Sequence, residues 1–280
     1  MKISVSSYSF SKLNIPQLDC IREAKKMGFC AVEFAELNPD KGISVMKHAK
    51  LLSEEAKKHG MEISCLSFSG DFVKLNGKTI EDEINRIKKM VDAAEALGVK
   101  TIRHDTASFD GRAFEAVLPQ IASACREITS YAEKKGIKTT VENHGVFCQD
   151  SQRMESLYAA VNHPNFGLLC DMGNFLCADE EPEKAFGRLA GFAAYVHAKD
   201  FHIKSGNEID PGEGFFSSRN GTYLRGAIIG HGNVPVMNCL RALKKVNYDG
   251  YIAIEFEGME DPQKAIPIGF NNLKRFINQI

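Results

Sequence analysis

The feature that most constrains the fold is a repeated junction between a helix and a strand. Four segments share one pattern, in which an amphipathic run ends in glycine and a short apolar run follows: KKMGFCAVEF, KKHGMEISCLSF, EALGVKTIRH and EKKGIKTTVEN. The four glycines, Gly28, Gly60, Gly98 and Gly136, lie 32, 38 and 38 residues apart. Because glycine accepts the left-handed backbone that commonly ends a helix, each one predicts a helix-to-strand junction.

The spacing of these junctions predicts how many units the chain contains. Dividing 280 residues by eight gives 35 residues per unit, so eight strand-plus-helix units would use the whole chain. We therefore expect an α/β protein built as a single (β/α)8 TIM barrel, with residues 1–280 as one domain. Later strands are expected at residues 165–171, 193–200 and 251–258, whose runs are largely apolar, as parallel strands covered by helices should be.

Composition and charge favour a small-molecule partner. The chain is 44% hydrophobic and 25% charged, with a net charge of -1 and a pI near 6.7. That balance gives little general attraction to nucleic acid or to an anionic membrane. The apolar runs are too short to span a bilayer, and the N-terminus lacks a secretory signal, so we expect a cytoplasmic protein. The eight cysteines form no C-x-x-C pair, and most of them are expected to be buried and reduced.

Ionisable residues gather at the ends of the predicted strands. In a parallel barrel these ends meet at one mouth, where catalytic residues of such enzymes lie. Four of them, Glu142, Asp171, His197 and Glu255, fall on strands five to eight. Three converging carboxylates would repel one another unless a cation neutralises them, and three carboxylates with one imidazole suit Mn²⁺, Mg²⁺, Co²⁺ or Zn²⁺. Taken singly, each carboxylate could instead cap a helix or lie in a surface turn, and His197 could be a core histidine.

Other polar residues near the strand ends are expected to line the pocket. These residues are Arg103, His104, His144 and His202. Arg103 could instead form a structural ion pair. The three histidines could instead lie behind the residues that contact substrate, or at the polar rim of the pocket.

The segment from residue 201 to residue 234 is unlike the rest of the pattern. It is rich in glycine and holds aromatic and basic residues. Long connections of this kind are uncommon unless they are functional, so we interpret it as a lid or substrate loop. Phe215, Phe216 and Tyr223 within it could also reach a neighbouring subunit in a homo-oligomer. The alternatives are a surface insertion, and aromatic residues that fold back onto their own barrel.

The strand-end motifs VENHG, LLCDMGN, YVHAKDFH, GHGNV and IAIEFEG resemble the sugar phosphate isomerase/epimerase superfamily, the xylose isomerase-like TIM barrels. This superfamily includes ketose 3-epimerases, hydroxypyruvate isomerase and inosose dehydratase. The resemblance implies that Glu142, Asp171, His197 and Glu255 hold one divalent metal ion, commonly manganese. It also implies a small carbohydrate or keto acid as substrate.

The same resemblance implies a mechanism. Glu142 and Glu255 would act as acid and base, one removing a proton and the other returning one through an enediolate. Lys199 or His202 would bind substrate hydroxyls or a terminal phosphate, and His231 would close over the pocket.

Three other functions stay open at this point. A dehydratase would use the same proton abstraction, and a carbohydrate-binding barrel would keep the metal without catalysis. DNA-repair enzymes of the endonuclease IV type bind three zinc ions with additional histidines. Here Asn174 occupies a position where that group has histidine, and the third strand ends in Ser67 and Phe68 without one. The trinuclear site is therefore not expected.

Overall fold

The barrel predicted from the glycine spacing is confirmed in a computed structural model that describes residues 1–108 and 110–280. Within these residues, eight parallel strands close a barrel in the order β1-β2-β3-β4-β5-β6-β7-β11, with β11 returning to β1. The eight barrel strands are β1 Lys2–Ser6, β2 Ala31–Ala35, β3 Glu62–Phe68, β4 Thr101–His104, β5 Lys138–Glu142, β6 Phe166–Asp171, β7 Ala193–Ala198 and β11 Tyr251–Ile254.

Helices follow the strands and cover the outside of the barrel. They are α1 Gln17–Lys26, α2 Val45–Lys58, α3 Ile80–Leu97, α4 Phe114–Glu133, α5 Ser151–Val161, α6 Asn174–Cys177, α7 Pro182–Leu189, α8 Val236–Lys245 and α9 Pro262–Asn278, with short 3-10 turns at Ser7–Leu13 and Ala190–Phe192. The junction glycines behave as expected, because Gly28, Gly60, Gly98 and Gly136 all have positive φ, between 62° and 92°. A capping box between Thr79 and Asp82 begins α3.

The register of the strands brings the predicted metal ligands to one end of the barrel. Glu142 and Asp171 are the last residues of β5 and β6, and Glu255 follows β11 directly. His197 lies on β7, where it is in register with Asp171 on one side and Ala253 on the other. These four strands are consecutive around the ring, so the side chains at their carboxyl ends are neighbours.

The segment after β7 is more ordered than the expected loop. The run predicted as one strand at 193–200 divides after β7, and a second strand, β8 Asp200–Lys204, leaves the barrel. It pairs antiparallel with β10 Tyr223–Ala227, which also pairs with β9 Phe216–Ser217. These strands were not predicted because the segment is rich in glycine. They also pair with one another and not with the barrel strands.

The aromatic residues of this small sheet contact their own chain. The ring of Phe216 lies edge-on to Phe201 with 5.6 Å between centroids, although 41% of Phe216 is exposed. The guanidinium carbon of Arg225 lies 5.4 Å from the centre of the Phe215 ring. Both contacts are with residues of the antiparallel sheet, and a role for these aromatics between subunits stays a prediction.

Asp200 anchors the connection from β10 to α8. Its buried carboxylate accepts four backbone N–H groups, from Phe201 at 2.9 Å, Gly230 at 2.8 Å, Gly232 at 2.9 Å and Val234 at 3.0 Å. A Cβ on Gly232 would lie 2.2 Å from Asp200 Oδ1, so only glycine allows this approach. The carboxylate therefore holds the loop that carries His231.

Two expectations about the class of protein can be compared with the structure. None of the helices in the described part of the chain combines the length and apolar character that a bilayer crossing requires. The eight cysteines are free, and six of them are buried.

Replacing Asp200 with alanine should destabilise the protein. The change leaves four backbone N–H groups without their acceptor, and we expect a loss of roughly 2–4 kcal/mol in the free energy of unfolding. Urea unfolding followed by circular dichroism measures it. The matched control is Asp210→Ala, since Asp210 accepts one N–H at the surface and its loss should cost less than about 0.5 kcal/mol. Equal effects of the two changes would contradict the anchoring role.

Candidate metal centre

Four donor atoms converge at the carboxyl end of the barrel. His197 Nδ1 lies 3.3 Å from Glu142 Oε1 and 3.6 Å from both Asp171 Oδ2 and Glu255 Oε2. The ligand atoms of the four residues all lie within 4.8 Å of one another. Glu142, Asp171 and His197 are buried, and the side chain of Glu255 is only 12% exposed. The sequence-predicted set is thus one compact cluster.

The carboxylates are held from the side that faces away from the cluster. Asp171 Oδ1 accepts the backbone N–H groups of Gly173 at 2.7 Å and Asn174 at 2.8 Å. Arg103 Nη2 contacts Glu142 Oε2 at 2.7 Å. Each of these carboxylates therefore presents its second oxygen, Asp171 Oδ2 or Glu142 Oε1, to the common centre.

The imidazole of His197 is held in the same way. Its Nε2 lies 2.8 Å from Oε2 of Glu33, a fully buried carboxylate on β2. The other oxygen of Glu33 accepts a hydrogen bond from the Ser67 hydroxyl on β3. His197 Nδ1 consequently points toward the three carboxylates.

Two unpaired polar atoms provide a test of whether this cluster suits a cation. Among residues 1–108 and 110–280, the buried atoms Asp171 Oδ2 and His197 Nδ1 make no hydrogen bond, although the ammonium group of Lys199 lies 3.4 Å from Asp171 Oδ2. An unpaired buried polar atom costs about 1–3 kcal/mol, and both atoms face the same point. A divalent ion accepting one nitrogen and three oxygen donors would satisfy both, so the residues present fit such an ion. This donor set does not separate manganese from magnesium, cobalt or zinc.

The environments of the two glutamates push their pKa values in opposite directions. Burial raises the pKa of Glu142, but Arg103 and His197 outweigh burial and hold this pKa well below its usual range. Burial also raises the pKa of Glu255, and Lys199 and His197 offset it only in part because Glu142 and Asp171 repel the charge. In the cation-free site, the charged form of Glu142 is thus stabilised more strongly than that of Glu255.

Lys199 lies directly over the cluster. Its buried Nζ contacts Glu255 Oε2 at 2.5 Å, Glu257 Oε1 at 3.1 Å and Asp171 Oδ2 at 3.4 Å, and donates to Asn174 Oδ1 at 3.1 Å. Burial lowers the pKa of Lys199, but the surrounding carboxylates raise it well above its usual value. The ammonium group is thus a permanent counter-charge within the site.

Two cavities open next to the cluster. The larger has a volume of about 660 Å³ and is lined by Glu142, Asp105 and Arg86, among others. The smaller, of about 390 Å³, is lined by Lys199 and by Phe216 from the antiparallel sheet. His144 borders both cavities. The segment interpreted from sequence as a substrate loop therefore forms one wall at the mouth.

The predicted pocket residues occupy different positions. His144 is half exposed and its Nδ1 lies 3.3 Å from Asp105 Oδ1, whereas Arg103 lies between Asp105 and Glu142. His202 is half-buried in the antiparallel sheet opposite Arg225, and His231 is exposed. Neither His202 nor His231 is among the residues that line the two cavities. The structure brings Arg103, His144 and Lys199 to the cluster, and substrate binding by all six residues stays a prediction.

His104 lies in the core. It is fully buried, its ring centre is 6.3 Å from that of Phe68 and 6.0 Å from that of Phe72, and its Nδ1 lies 2.9 Å from the Asp105 carbonyl. Burial lowers the pKa of His104 to about 4. The ring is therefore neutral near pH 7.

Sequence reasoning missed several residues that support the cluster. Glu33, Asp105, Asn174 and Glu257 all contact a ligand of the cluster or a neighbour of one. Glu33 is at the end of a predicted strand, which was the available signal. The sequence does not indicate its contact with His197, because β2 is three places from β7 around the ring and the two side chains meet across the barrel interior.

Comparison with known proteins places the chain in a family. Residues 21–276 match the family described as the xylose isomerase-like TIM barrel. The chain belongs to this family. The resemblance predicted from the strand-end motifs is thereby confirmed.

Individual relatives of this xylose isomerase-like barrel are distant. The inosose dehydratase of Mesomycoplasma hyopneumoniae strain 7448 is 24% identical over 96% of this chain and 92% of its own length. A D-tagatose 3-epimerase-like protein has a TM-score of 0.74 at 21% identity, with 100% of this chain and 99% of that chain covered. A structure of the IOLI protein with a bound zinc atom has a TM-score of 0.75 at 18% identity, covering 100% and 97%. The two structures share the fold with this chain.

The buried His104 should make the stability of the metal-free protein depend on pH. Its pKa is about 4 in the folded state against 6.5 for an ordinary histidine, so the unfolded state binds the proton more readily. The contribution of neutral His104 to the free energy of unfolding is fully present above the pKa that this histidine has in the unfolded chain. The contribution is lost as the pH falls toward 4. Between about pH 7 and pH 5 the loss amounts to about 2 kcal/mol.

Urea unfolding of wild type and His104→Leu at both pH values measures this loss. The variant should lose about 2 kcal/mol less than wild type over this range, whereas His231→Gln, at an exposed position, should follow wild type. Parallel pH dependences for wild type and His104→Leu would contradict a neutral core histidine.

Proposed function

We propose that the protein is a divalent-metal-dependent isomerase or epimerase that acts on a sugar, a ketose or a related polyol or keto acid. The reaction is proton transfer at the carbon beside a carbonyl group, through an enediolate. The observation that carries the proposal is the convergence of Glu142 and Glu255 with Asp171 and His197 at the mouth of the barrel. A carboxylate held beside a bound cation can remove or return a proton next to a carbonyl group that the cation polarises.

The neighbours of each glutamate orient it. Glu142 and Glu255 are the acid/base pair, one removing a proton and the other returning one, and Arg103 orients Glu142 through its 2.7 Å contact with Oε2. Lys199 orients Glu255 through its 2.5 Å contact. Asp171 and His197 complete the ligand set, and manganese is the ion that we favour. When bound, a divalent ion supplies Lewis-acid stabilisation of negative charge developing on substrate oxygens.

The cavities support a polar substrate of sugar type. Their walls near the cluster carry charged or hydrogen-bonding side chains such as Asp105, His144, Lys199 and Glu257. Groups of this kind pair with the hydroxyls of a carbohydrate. The relationship to an epimerase-like protein is consistent with this substrate class.

A dehydratase is the second candidate, and one specific observation favours it. Curated relatives that cover 96% of this chain are named inosose dehydratase. Dehydration starts with the same removal of a proton beside a carbonyl, after which a hydroxyl group leaves from the next carbon. The difference lies in whether the intermediate is reprotonated or loses water.

Replacing either glutamate should abolish proton exchange. With D-tagatose, D-fructose, L-ribulose and an inosose in deuterium oxide, wild type should incorporate solvent deuterium beside the carbonyl of its substrate. Glu142→Gln and Glu255→Gln should each slow exchange at least about hundredfold, because each removes an acid/base group. The measurement is proton NMR at manganese concentrations that saturate each variant, with Glu213→Gln, at an exposed position, as the unaffected control.

The products of the same experiment separate the candidates. An isomerase or epimerase gives an isomer whose mass differs from that of the substrate only by the deuterium label. A dehydratase gives a product that is lighter than the substrate by one water molecule. Unchanged exchange in both glutamine variants would overturn the catalytic assignment of the two glutamates. Exchange that is no faster with wild type than without protein would favour a carbohydrate-binding barrel.

Metal binding should also stabilise the folded protein. At a free manganese concentration one hundred times the Kd, the stabilisation should be about 2.7 kcal/mol, because only the folded state assembles the four donors. Thermal unfolding with manganese or with a chelator measures this, and Asp171→Asn should remove most of the effect. A wild-type unfolding curve that does not depend on manganese would contradict the metal site.

A further inference from the structure

Glu33 has an unusual position for a carboxylate. Its side chain is fully buried, on a strand three places around the ring from β7. A buried carboxylate is costly unless its oxygens are paired. In the described residues its oxygens have two hydrogen-bond partners, the Ser67 hydroxyl on one oxygen and His197 Nε2 on the other. The cost is thus offset by a contact with a predicted metal ligand.

The local backbone directs this side chain into the barrel. The pairing between β2 and β3 shifts register between Val32 and Glu33. Such irregularities re-aim side chains at the rims of barrels. Ser67 donates to Oε1 while His197 Nε2 lies 2.8 Å from Oε2, so each oxygen of the carboxylate has a partner that orients it.

That hydrogen bond determines which imidazole nitrogen is available. Glu33 Oε1 accepts the Ser67 hydroxyl and Oε2 lies 2.8 Å from His197 Nε2, and this geometry suits a carboxylate that accepts the hydrogen of Nε2. In the neutral ring Nδ1 then has the free lone pair, and Nδ1 is the nitrogen that faces Glu142, Asp171 and Glu255. The opposite tautomer would direct an N–H group at the centre of the cluster.

We propose that Glu33 is a positioning residue that holds His197 in the Nε2–H tautomer and thereby sets the affinity of the cluster for its metal ion. The proposal rests on the metal site of the proposed function. The negative charge of Glu33 also makes the imidazole a stronger donor, as carboxylates behind metal-binding histidines do. Ser67 orients Glu33 through its hydrogen bond and so affects His197 indirectly.

Metal affinity provides the first test. The Kd for manganese and for zinc is measured by titration against a chelating dye for wild type, Glu33→Gln, Glu33→Leu and Ser67→Ala. Loss of such a carboxylate weakens binding about 10- to 100-fold. We expect about tenfold for Glu33→Gln, which keeps a carbonyl acceptor, and about hundredfold for Glu33→Leu. Glu54→Gln, at an exposed position on α2, should match wild type.

The tautomer provides a second readout, which a merely structural role would not change. In zinc-loaded protein labelled with nitrogen-15, His197 of wild type should show a protonated Nε2 and an unprotonated Nδ1. Glu33→Leu should lose the hydrogen-bonded Nε2–H signal. Unfolding curves of the metal-free variants show whether each is folded, and if Glu33→Leu is not, the affinities of Glu33→Gln and Ser67→Ala decide the outcome.

The outcomes separate this proposal from the proposed function. Wild-type affinity in the folded Glu33 variants, with an unchanged Nε2–H signal, would overturn the role of Glu33 and leave the metal site intact. A wild-type protein that binds neither ion would overturn both. Weakened binding together with the altered nitrogen signals would support the positioning role.

Discussion

The structure depends on how three carboxylates can share one buried site. Glu142, Asp171 and Glu255 present oxygens within 4.8 Å of one another and of the His197 imidazole, at the carboxyl ends of consecutive strands. Repulsion between them requires compensating positive charge. The chain supplies part of it through Arg103, which contacts the outer oxygen Oε2 of Glu142, and through Lys199, which contacts the donor oxygen Oε2 of Glu255. The unpaired atoms at the centre are left for a cation.

The surrounding residues give each ligand one orientation. Backbone N–H groups hold Asp171, Arg103 holds Glu142 and Glu33 holds His197, so preorganisation comes from three different elements. The antiparallel sheet after β7 supplies Phe216 to the wall of the smaller cavity, which Lys199 also lines. The predicted metal ligands and several of the residues that orient them therefore lie at or near the ends of the barrel strands.

Much of this arrangement was predictable from sequence because it depends on periodic features. The junction glycines predicted the barrel, and strand ends predicted the ligand set because parallel strands deliver their last residues to one mouth. Contacts across the barrel interior, such as Glu33 with His197, depend on a register shift that leaves no pattern in the sequence. The antiparallel sheet escaped prediction because its short strands pair with each other, and the extent of the domain, residues 1–280, stays a prediction.

The central claim is that these four side chains together bind one divalent ion. Anomalous X-ray scattering from crystals soaked in manganese, recorded just above the manganese absorption edge, tests it most directly. The account predicts one strong peak at the point bounded by Glu142 Oε1, Asp171 Oδ2, His197 Nδ1 and Glu255 Oε2. A map with no peak at that point, with the four side chains turned away from one another, would contradict it.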